Sequence, residues 1–203
     1  MKGTKAILLS ASVPRYGRAG SESFDPYLIK EAVTALIEVI LGRYLLVWGG
    51  QPAITPIVAA SSEGYDVSFS GVATLYQSAY FRKDYPSENQ KFENFVETDE
   101  IRGNKAASLT LMRKQMLTSH EFFAGVFIGG MEGVVEEYEM FKKLHPLAIR
   151  LPIPSPGGTS QNLFKREEDL PEQLADAVDF PFWFQKILNV DLSTPRSYSL
   201  KSG

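Results

Sequence analysis

The chain contains no cysteine. This absence excludes disulfide bonds, thiolate metal sites and a cysteine nucleophile. Because disulfides belong mostly to oxidising compartments, we expect a cytoplasmic protein. No apolar run approaches the roughly 18 residues of a membrane helix, and the run Ala6-Ile7-Leu8-Leu9 is too short for the core of a signal peptide. The sequence therefore predicts no membrane partner.

The chain also has little net charge and few histidines. The formal net charge is −3, which gives no reason to expect general affinity for nucleic acid. His120 and His145 are the only histidines, and His120-Glu121 lacks the second histidine of a zinc-peptidase helix. We interpret both histidines as structural and predict no metal site.

Several catalytic motifs are missing as well. The sequence has no Gly-x-Ser-x-Gly nucleophile elbow, no glycine loop followed by a Walker lysine, and no dinucleotide fingerprint. These absences argue against a serine hydrolase, a kinase and an ordinary dehydrogenase. We predict no cofactor.

The order of apolar runs and amphipathic stretches predicts the fold. Near-continuous apolar runs are typical of strands buried on both faces of a parallel sheet, and helical patterns alternate with them here. We predict an α/β, Rossmann-like three-layer sandwich with a mainly parallel sheet and helices on both faces. The length of 203 residues fits one domain. We assign residues 1–165 to a ligand-binding domain and residues 166–203 to a helical extension and tail packed on it.

The predicted strand 5–14 ends in small and hydroxyl residues. Open α/β sheets bind ligands at the carboxyl ends of their strands. Ser10, Ser12 and Arg15 are therefore candidate ligand-binding residues, although a plain surface loop is the alternative for Arg15. Asp25 and Pro26 then predict the start of a helix that ends at Gly42.

Two strand–glycine–helix units follow along the chain. The first is a strand at 44–48 followed by Gly49, Gly50 and Gln51. The second is a strand ending at Ile128, a turn, and a helix over 134–144; the turn consists of Gly129, Gly130, Met131, Glu132 and Gly133. Glycines let a ligand approach the backbone, and a helix N-terminus favours an anion. The alternative is that these glycines only allow close packing of helix on strand.

Charged residues flank the second glycine turn in sequence. Arg113 and Lys114 lie on the helix before the strand, whereas Glu136 and Glu137 lie on the helix after it. Cations for phosphate and a carboxylate for ribose hydroxyls are what a nucleotide site needs. The alternative is a solvent-exposed ion pair between neighbouring helices.

This arrangement resembles a known family. An Arg-Lys pair on a helix, a strand, Gly-Gly-x-Gly and a helical glutamate resemble the LOG-type, or lysine-decarboxylase-like, phosphoribohydrolases and the wider SLOG superfamily. Gly129 follows Arg113 by sixteen positions (129 − 113 = 16), which matches the LOG spacing. The resemblance implies that Arg113 and Glu136 would be the catalytic pair of an enzyme, and that Gly49, Gly50 and Gln51 would face the nucleotide.

Three departures from the LOG motif indicate a divergent branch. Ile128 replaces the motif proline, Glu132 takes the place of the third glycine with Gly133 after it, and Gly133 or Val134 replaces the threonine. SLOG members outside the LOG branch bind nucleotide-derived ligands, and some accompany effectors in prokaryotic defence. The resemblance therefore implies a sensor of an ADP-ribose-like or cyclic nucleotide ligand, in signalling or antiviral defence, with a separate effector protein as a partner.

Two further functions stay open at this stage. One is cleavage of the N-glycosidic bond of a nucleoside monophosphate, in which Glu136 would bind the ribose and help activate water, and Arg113 would orient that glutamate or hold the phosphate. The other is an oligomerisation scaffold without a working site. Its support is the aromatic run at 180–184, which either packs on the domain's own core or forms a contact in a homodimer or larger homo-oligomer.

Overall fold

A computed structural model describes residues 5–14, 17, 23–63, 65 and 71–196. Arg15, a predicted ligand-binding residue, lies outside the described residues, as does the end of the predicted tail. The mixed β-branched and aromatic residues at 67–80 also predict a strand or two short strands, and residues 67–70 of that stretch lie outside the described part of the chain.

The centre of the molecule is a six-stranded sheet. Its strands are β1 (Ala6–Ser12), β2 (Leu45–Gly49), β3 (Ala73–Ser78), β4 (Phe95–Thr98), β5 (Phe122–Gly129) and β6 (Ile149–Ile153). They lie in the order β4-β3-β2-β1-β5-β6, and every neighbouring pair is parallel. The predicted α/β fold with a parallel sheet is confirmed.

In the described ranges, six α-helices connect and flank the strands. They are α1 (Pro26–Ile40), α2 (Thr55–Ser62), α3 (Lys105–Leu117), α4 (Glu132–Leu144), α5 (Thr159–Phe164) and α6 (Phe180–Ile187). Buried side chains of α1, α2 and α6 share one core with Leu9 and Trp48 on one face of the sheet. Those of α3, α4 and α5 share a second core with Leu8 and Val47 on the other face. Because side chains alternate along a strand, neighbouring residues of β1 and β2 enter opposite cores.

The start of α1 follows the predicted chemistry. The Asp25 carboxylate accepts hydrogen bonds from the N–H groups of Tyr27 and Leu28, at 2.9 and 3.0 Å. Pro26 fills the first helical position, where no N–H partner exists. Asp25 therefore satisfies donors that the helix itself leaves open.

Three local predictions meet different outcomes. Residues 82–91, whose polar sequence predicts a surface loop, instead form parts of two 3₁₀ segments, Ala79–Asp84 and Ser87–Lys91. The helix after the glycine turn begins at Glu132, two residues earlier than predicted. Pro152 predicts an edge strand, because a proline has no N–H to donate to a second neighbour, and its strand β6 does lie at the edge of the sheet.

In the part of the chain that the structure describes, no helix is both long and apolar enough to cross a bilayer.

The strand order reverses between β1 and β5, because the chain runs outward from β1 to β4 and then returns to the other side of β1. In open α/β sheets, such a reversal opens a crevice at the carboxyl ends of the two strands.

Candidate functional site

The crevice between β1 and β5 brings the predicted residues of both strands together. Ser12 lies opposite Gly129 in the parallel register, and both strands end there. Helix α4 starts three residues after Gly129, so its N-terminus lies at the same edge. The structure therefore places the first serine-rich turn beside the second glycine turn.

The two turn glycines adopt left-handed backbone conformations, with φ of 62° at Gly129 and 80° at Gly130. The Gly130 N–H donates to the Ser12 carbonyl at 3.1 Å, and the Gly129 N–H donates to Ser160 Oγ at 3.0 Å. A Cβ on Gly130 would lie 2.2 Å from a methyl of Val134. Both N–H groups are thus satisfied within the protein, and Gly130 lies so close to Val134 that no side chain fits between the turn and α4.

Gly133 has a different role at the start of α4. A Cβ there would lie 2.9 Å from a terminal nitrogen of Arg113. The missing side chain leaves room for the guanidinium against the first turn of the helix. Gly133 therefore links the glycine motif directly to the arginine that precedes it in sequence.

Arg113 is the centre of a charged group that we call the Arg113 cluster: Ser10, Arg113, Glu136 and Glu137. Arg113 Nε donates to Glu137 Oε1 at 3.3 Å, and a terminal nitrogen of Arg113 pairs with Glu136. Ser10 Oγ donates to Glu137 Oε2 at 2.6 Å. One strand and two helices thus bring a hydroxyl, a guanidinium and two carboxylates to the carboxyl edge of the sheet.

The two glutamates of the cluster lie in different surroundings. The side chain of Glu137 is 14% exposed, whereas that of Glu136 is 58% exposed. Burial raises the pKa of Glu137 and outweighs the opposing effects of Arg113 and Ser10. The carboxyl group held at the strand ends therefore belongs to Glu137, and Glu136, to which the resemblance assigned catalysis, lies at the solvent-facing side of Arg113.

Helical periodicity distinguishes these residues. Leu109, Met112, Arg113 and Met116 fall at i, i+3, i+4 and i+7, so Arg113 lies on the apolar face of α3. The same spacing in α4 starts at Val134 and continues through Glu137, Tyr138 and Phe141. A charged residue on each apolar face was a signal in the sequence that Arg113 and Glu137 form the inner pair.

The first glycine turn lies over a second polar group. A Cβ on Gly50 would lie 2.4 Å from Gln77 Oε1, which accepts a hydrogen bond from Asn89 at 2.6 Å. Gly49 has Met112 of α3 at ordinary contact distance. The Gln51 side chain caps its own turn by accepting from the N–H groups of residues 53 and 54. This turn therefore packs against β3 and α3.

The remaining predicted residues stand apart from the Arg113 cluster. Lys114 is exposed near the end of α3, and its carbonyl accepts from Thr118. Met131 precedes α4 as its N-cap without a side-chain capping bond. Among the described residues, no acceptor faces the N–H groups of Met131 and Gly133. These two donors and the helix dipole favour an anion at the start of α4.

A cavity of about 300 Å³ lies beside this helix start. Glu132, which is exposed, stands at its rim, and Gly130 and Met131 line it. The other lining residues come from the segment before α1 and from the start of α5: Ser23, Phe24, Gly158, Thr159, Gln161 and Asn162, with Val135 from α4.

Ser160 and its neighbour join α5 to the glycine turn. Ser160 Oγ accepts from Gly129 and donates to the Ile153 carbonyl, and the Thr159 N–H donates to the Gly130 carbonyl at 3.1 Å. A hydroxyl residue at a helix start predicts that Thr159 or Ser160 caps α5, but the N-cap is Gly158, so this prediction is wrong. The segment instead holds the turn in place.

A larger cavity, of about 810 Å³, lies at the opposite end of the sheet. Both histidines line it, and burial lowers the pKa of His120. His145 Nε2 lies 2.8 Å from the Leu117 carbonyl, a contact that holds the ring in place. We assign the candidate site to the carboxyl edge, because parallel sheets bind ligands there.

The fold and the Arg113 cluster define the class of protein, which is a Rossmann-like α/β domain with a charged group at the reversal of the strand order. The chain belongs to the SLOG cluster3 family, because the sequence model of that family matches residues 21–188. The match covers both glycine turns and all of the helices α1 to α6. A search of curated proteins gave no match.

Proposed function

We propose that this SLOG domain binds a nucleotide-derived ligand, of the ADP-ribose or cyclic nucleotide type, and acts as a sensor in signalling or prokaryotic antiviral defence. The observation that carries the proposal is the Arg113 cluster. Burying a charged pair costs desolvation energy that apolar residues would not incur. A pair kept at the ligand-binding edge of a parallel sheet favours a binding role over a purely structural one.

Different groups of the site suit different parts of such a ligand. Arg113 and the N–H groups at the start of α4 suit phosphate oxygens, whereas the carboxylates of Glu132 and Glu137 suit ribose hydroxyls. Of these groups, Glu132 and Met131 at the start of α4 line the cavity beside that helix. We further propose a separate effector protein and a homo-oligomer as the partners of the domain.

A thermal-shift panel tests the binding proposal. Nucleoside monophosphates, ADP-ribose and cyclic ADP-ribose isomers are each added to the protein. A ligand at about 100 Kd stabilises by about 2.7 kcal/mol, which raises Tm measurably. We expect a shift with at least one of them, and its loss in Arg113→Met.

Lys143→Met is the matched control, because Lys143 is an exposed cation in the last turn of α4, at the other end of the helix from the cluster. It should keep the full shift. The same shift in Arg113→Met as in the unchanged protein would refute the proposal, and so would the absence of any shift across the panel.

One observation favours a second candidate, a phosphoribohydrolase. A buried carboxyl with a raised pKa beside an arginine is suited to general acid–base chemistry. Chromatography of each panel ligand after incubation separates the two functions. Release of free base that is lost in Glu137→Gln would establish the hydrolase, whereas intact ligand with a Tm shift supports the sensor.

A further inference from the structure

The guanidinium of Arg113 is covered on the side from which a ligand must come. Arg113 is only 7% exposed as a residue. Glu137 engages Nε from the inner side, and Gly133 lies against one terminal nitrogen. Glu136 pairs with the other terminal nitrogen and is the exposed member of the cluster. An anion that approaches Arg113 from solvent therefore meets the Glu136 carboxylate first.

The two carboxylates differ in how firmly they are held. Glu137 has a second partner, since Ser10 donates to its other oxygen at 2.6 Å. Within the described ranges, Arg113 is the only hydrogen-bond partner of Glu136. Its side chain is 58% exposed, so its carboxylate is largely hydrated already. Moving Glu136 into solvent thus costs little, whereas moving Glu137 would break two contacts inside the protein.

We propose that Glu136 occupies the anion position on Arg113 while the site is empty, and that a phosphate or pyrophosphate group of the ligand displaces it. This inference rests on the proposed function. Glu136 then acts as a specificity residue, because a group must compete with a carboxylate for Arg113. A phosphate carries more charge and more acceptor oxygens than a carboxylate, and it prevails in that exchange. Ligands that carry only a carboxylate are rejected.

Isothermal titration with three probes tests the exchange: ADP, inorganic pyrophosphate and uncharged adenosine. Glu136→Gln removes the competing charge and keeps the shape of the side chain. An exposed ion pair contributes up to about 1 kcal/mol, so the variant should bind ADP and pyrophosphate about fivefold more tightly. Adenosine should bind it as it binds the unchanged protein. Added salt should reduce the gain, because it screens the pair.

Glu139→Gln is the matched control for the change in net charge. Glu139 lies one turn further along α4, is similarly exposed at 48%, and pairs with Arg166 instead of Arg113. Its removal should leave all three affinities unchanged. An equal gain in Glu139→Gln would show that long-range charge alone is responsible, and would overturn the inference.

The other outcomes separate this inference from the proposed function. Weaker binding of both ADP and adenosine to Glu136→Gln would mean that Glu136 contacts ligand hydroxyls, and would overturn the displacement. Equal ADP affinities, with binding lost in Arg113→Met, would overturn the displacement alone. If neither the unchanged protein nor Glu136→Gln binds ADP or pyrophosphate, the displacement and the phosphate contact of the proposed function both fail.

Discussion

Glu137 shows how one residue connects stability with the candidate site. Its carboxyl group is held by Ser10 and Arg113 yet is largely removed from water. Burial raises its pKa in the folded protein above the usual 4.5, which the unfolded chain retains. Folding therefore shifts the Glu137 carboxyl towards its protonated form, and the neighbouring Arg113 guanidinium opposes that shift.

The pH dependence of unfolding checks this assignment. A raised pKa in the folded state gives stability that is present below pH 4.5 and is lost as the pH rises through the folded pKa. The unfolding free energy of the unchanged protein should therefore fall relative to that of Glu137→Gln over this window, by at most about 1.4 kcal/mol per pH unit. Urea unfolding from pH 4 to pH 8 measures the difference.

Glu139→Gln serves as the comparison, because this glutamate lies on the same helix with half of its side chain in solvent. This variant removes the same formal charge from α4, so a pH-dependent difference that is confined to Glu137→Gln identifies Glu137 as its source. A relative rise in the stability of the unchanged protein above pH 4.5 would mean that the ion pair with Arg113 outweighs burial.

At the scale of elements, the glycine turn joins β5 to the first turn of α4. Gly130 needs a positive φ and also faces Val134 at a distance that no Cβ can occupy. Gly103, before α3, has a φ of 67° and open space around it. A comparison of substitutions at Gly103 and Gly130 therefore separates the cost of backbone strain from the cost of steric crowding.

We expect Gly103→Ala to cost about 1 kcal/mol of unfolding free energy from backbone strain alone. Gly130→Ala should cost about 1–3 kcal/mol more, because the new methyl group forces Val134 and the helix apart. Chemical denaturation of both variants measures the two costs. Equal losses would show that α4 shifts freely, and that the turn does not fix its position.

Helix α5 is anchored near the site by a second charged group. Arg150 donates to both oxygens of Glu167, at 2.8 and 3.1 Å, and Tyr138 of α4 also donates to Glu167. Burial and Glu167 raise the pKa of Tyr138 to about 12, so its hydroxyl remains a donor at neutral pH. These bonds tie the end of α5 to α4 and β6, and so hold the segment that supports the glycine turn.

At the scale of the whole molecule, α6 belongs to the main core. Phe180, Trp183 and Phe184 are buried in the core that contains α1, whereas Phe182 is 48% exposed. The aromatic run thus packs mainly on its own domain. Arg43 and Arg196 add hydrogen bonds between the end of α1 and residues 192–196.

Two phenylalanines of α6 provide a direct test. Phe184 is fully buried, so Phe184→Ala should destabilise the protein by about 3–5 kcal/mol. Phe182→Ala should change the unfolding free energy by less than about 1 kcal/mol. Thermal or urea unfolding followed by tryptophan fluorescence reports both, because Trp48 and Trp183 lie in this core. A large loss in Phe182→Ala would indicate that Phe182 is covered by another copy of the chain.

The sequence by itself determined the layers of the fold. Apolar runs such as Ala6–Leu9 are buried on both faces only in a sheet with helices on each side, and local signals such as Asp25-Pro26 set the helix starts. These features depend on neighbouring residues, so they are readable from the chain. The position of Arg113 on the apolar face of α3 was readable in the same way.

The tertiary structure alone decided which groups meet. The pairing of Ser10 with Glu137, across 127 positions of sequence, depends on β1 lying beside β5. The meeting of Arg113 with Glu137 depends on α3 and α4 lying side by side, although helical spacing already places each residue on the apolar face of its own helix. The N–H groups of Gly130 and Gly129, which the glycine motif offers as ligand donors, donate in the fold to Ser12 and Ser160. Such contacts are set by the packing of distant elements, and for that reason no local pattern specifies them.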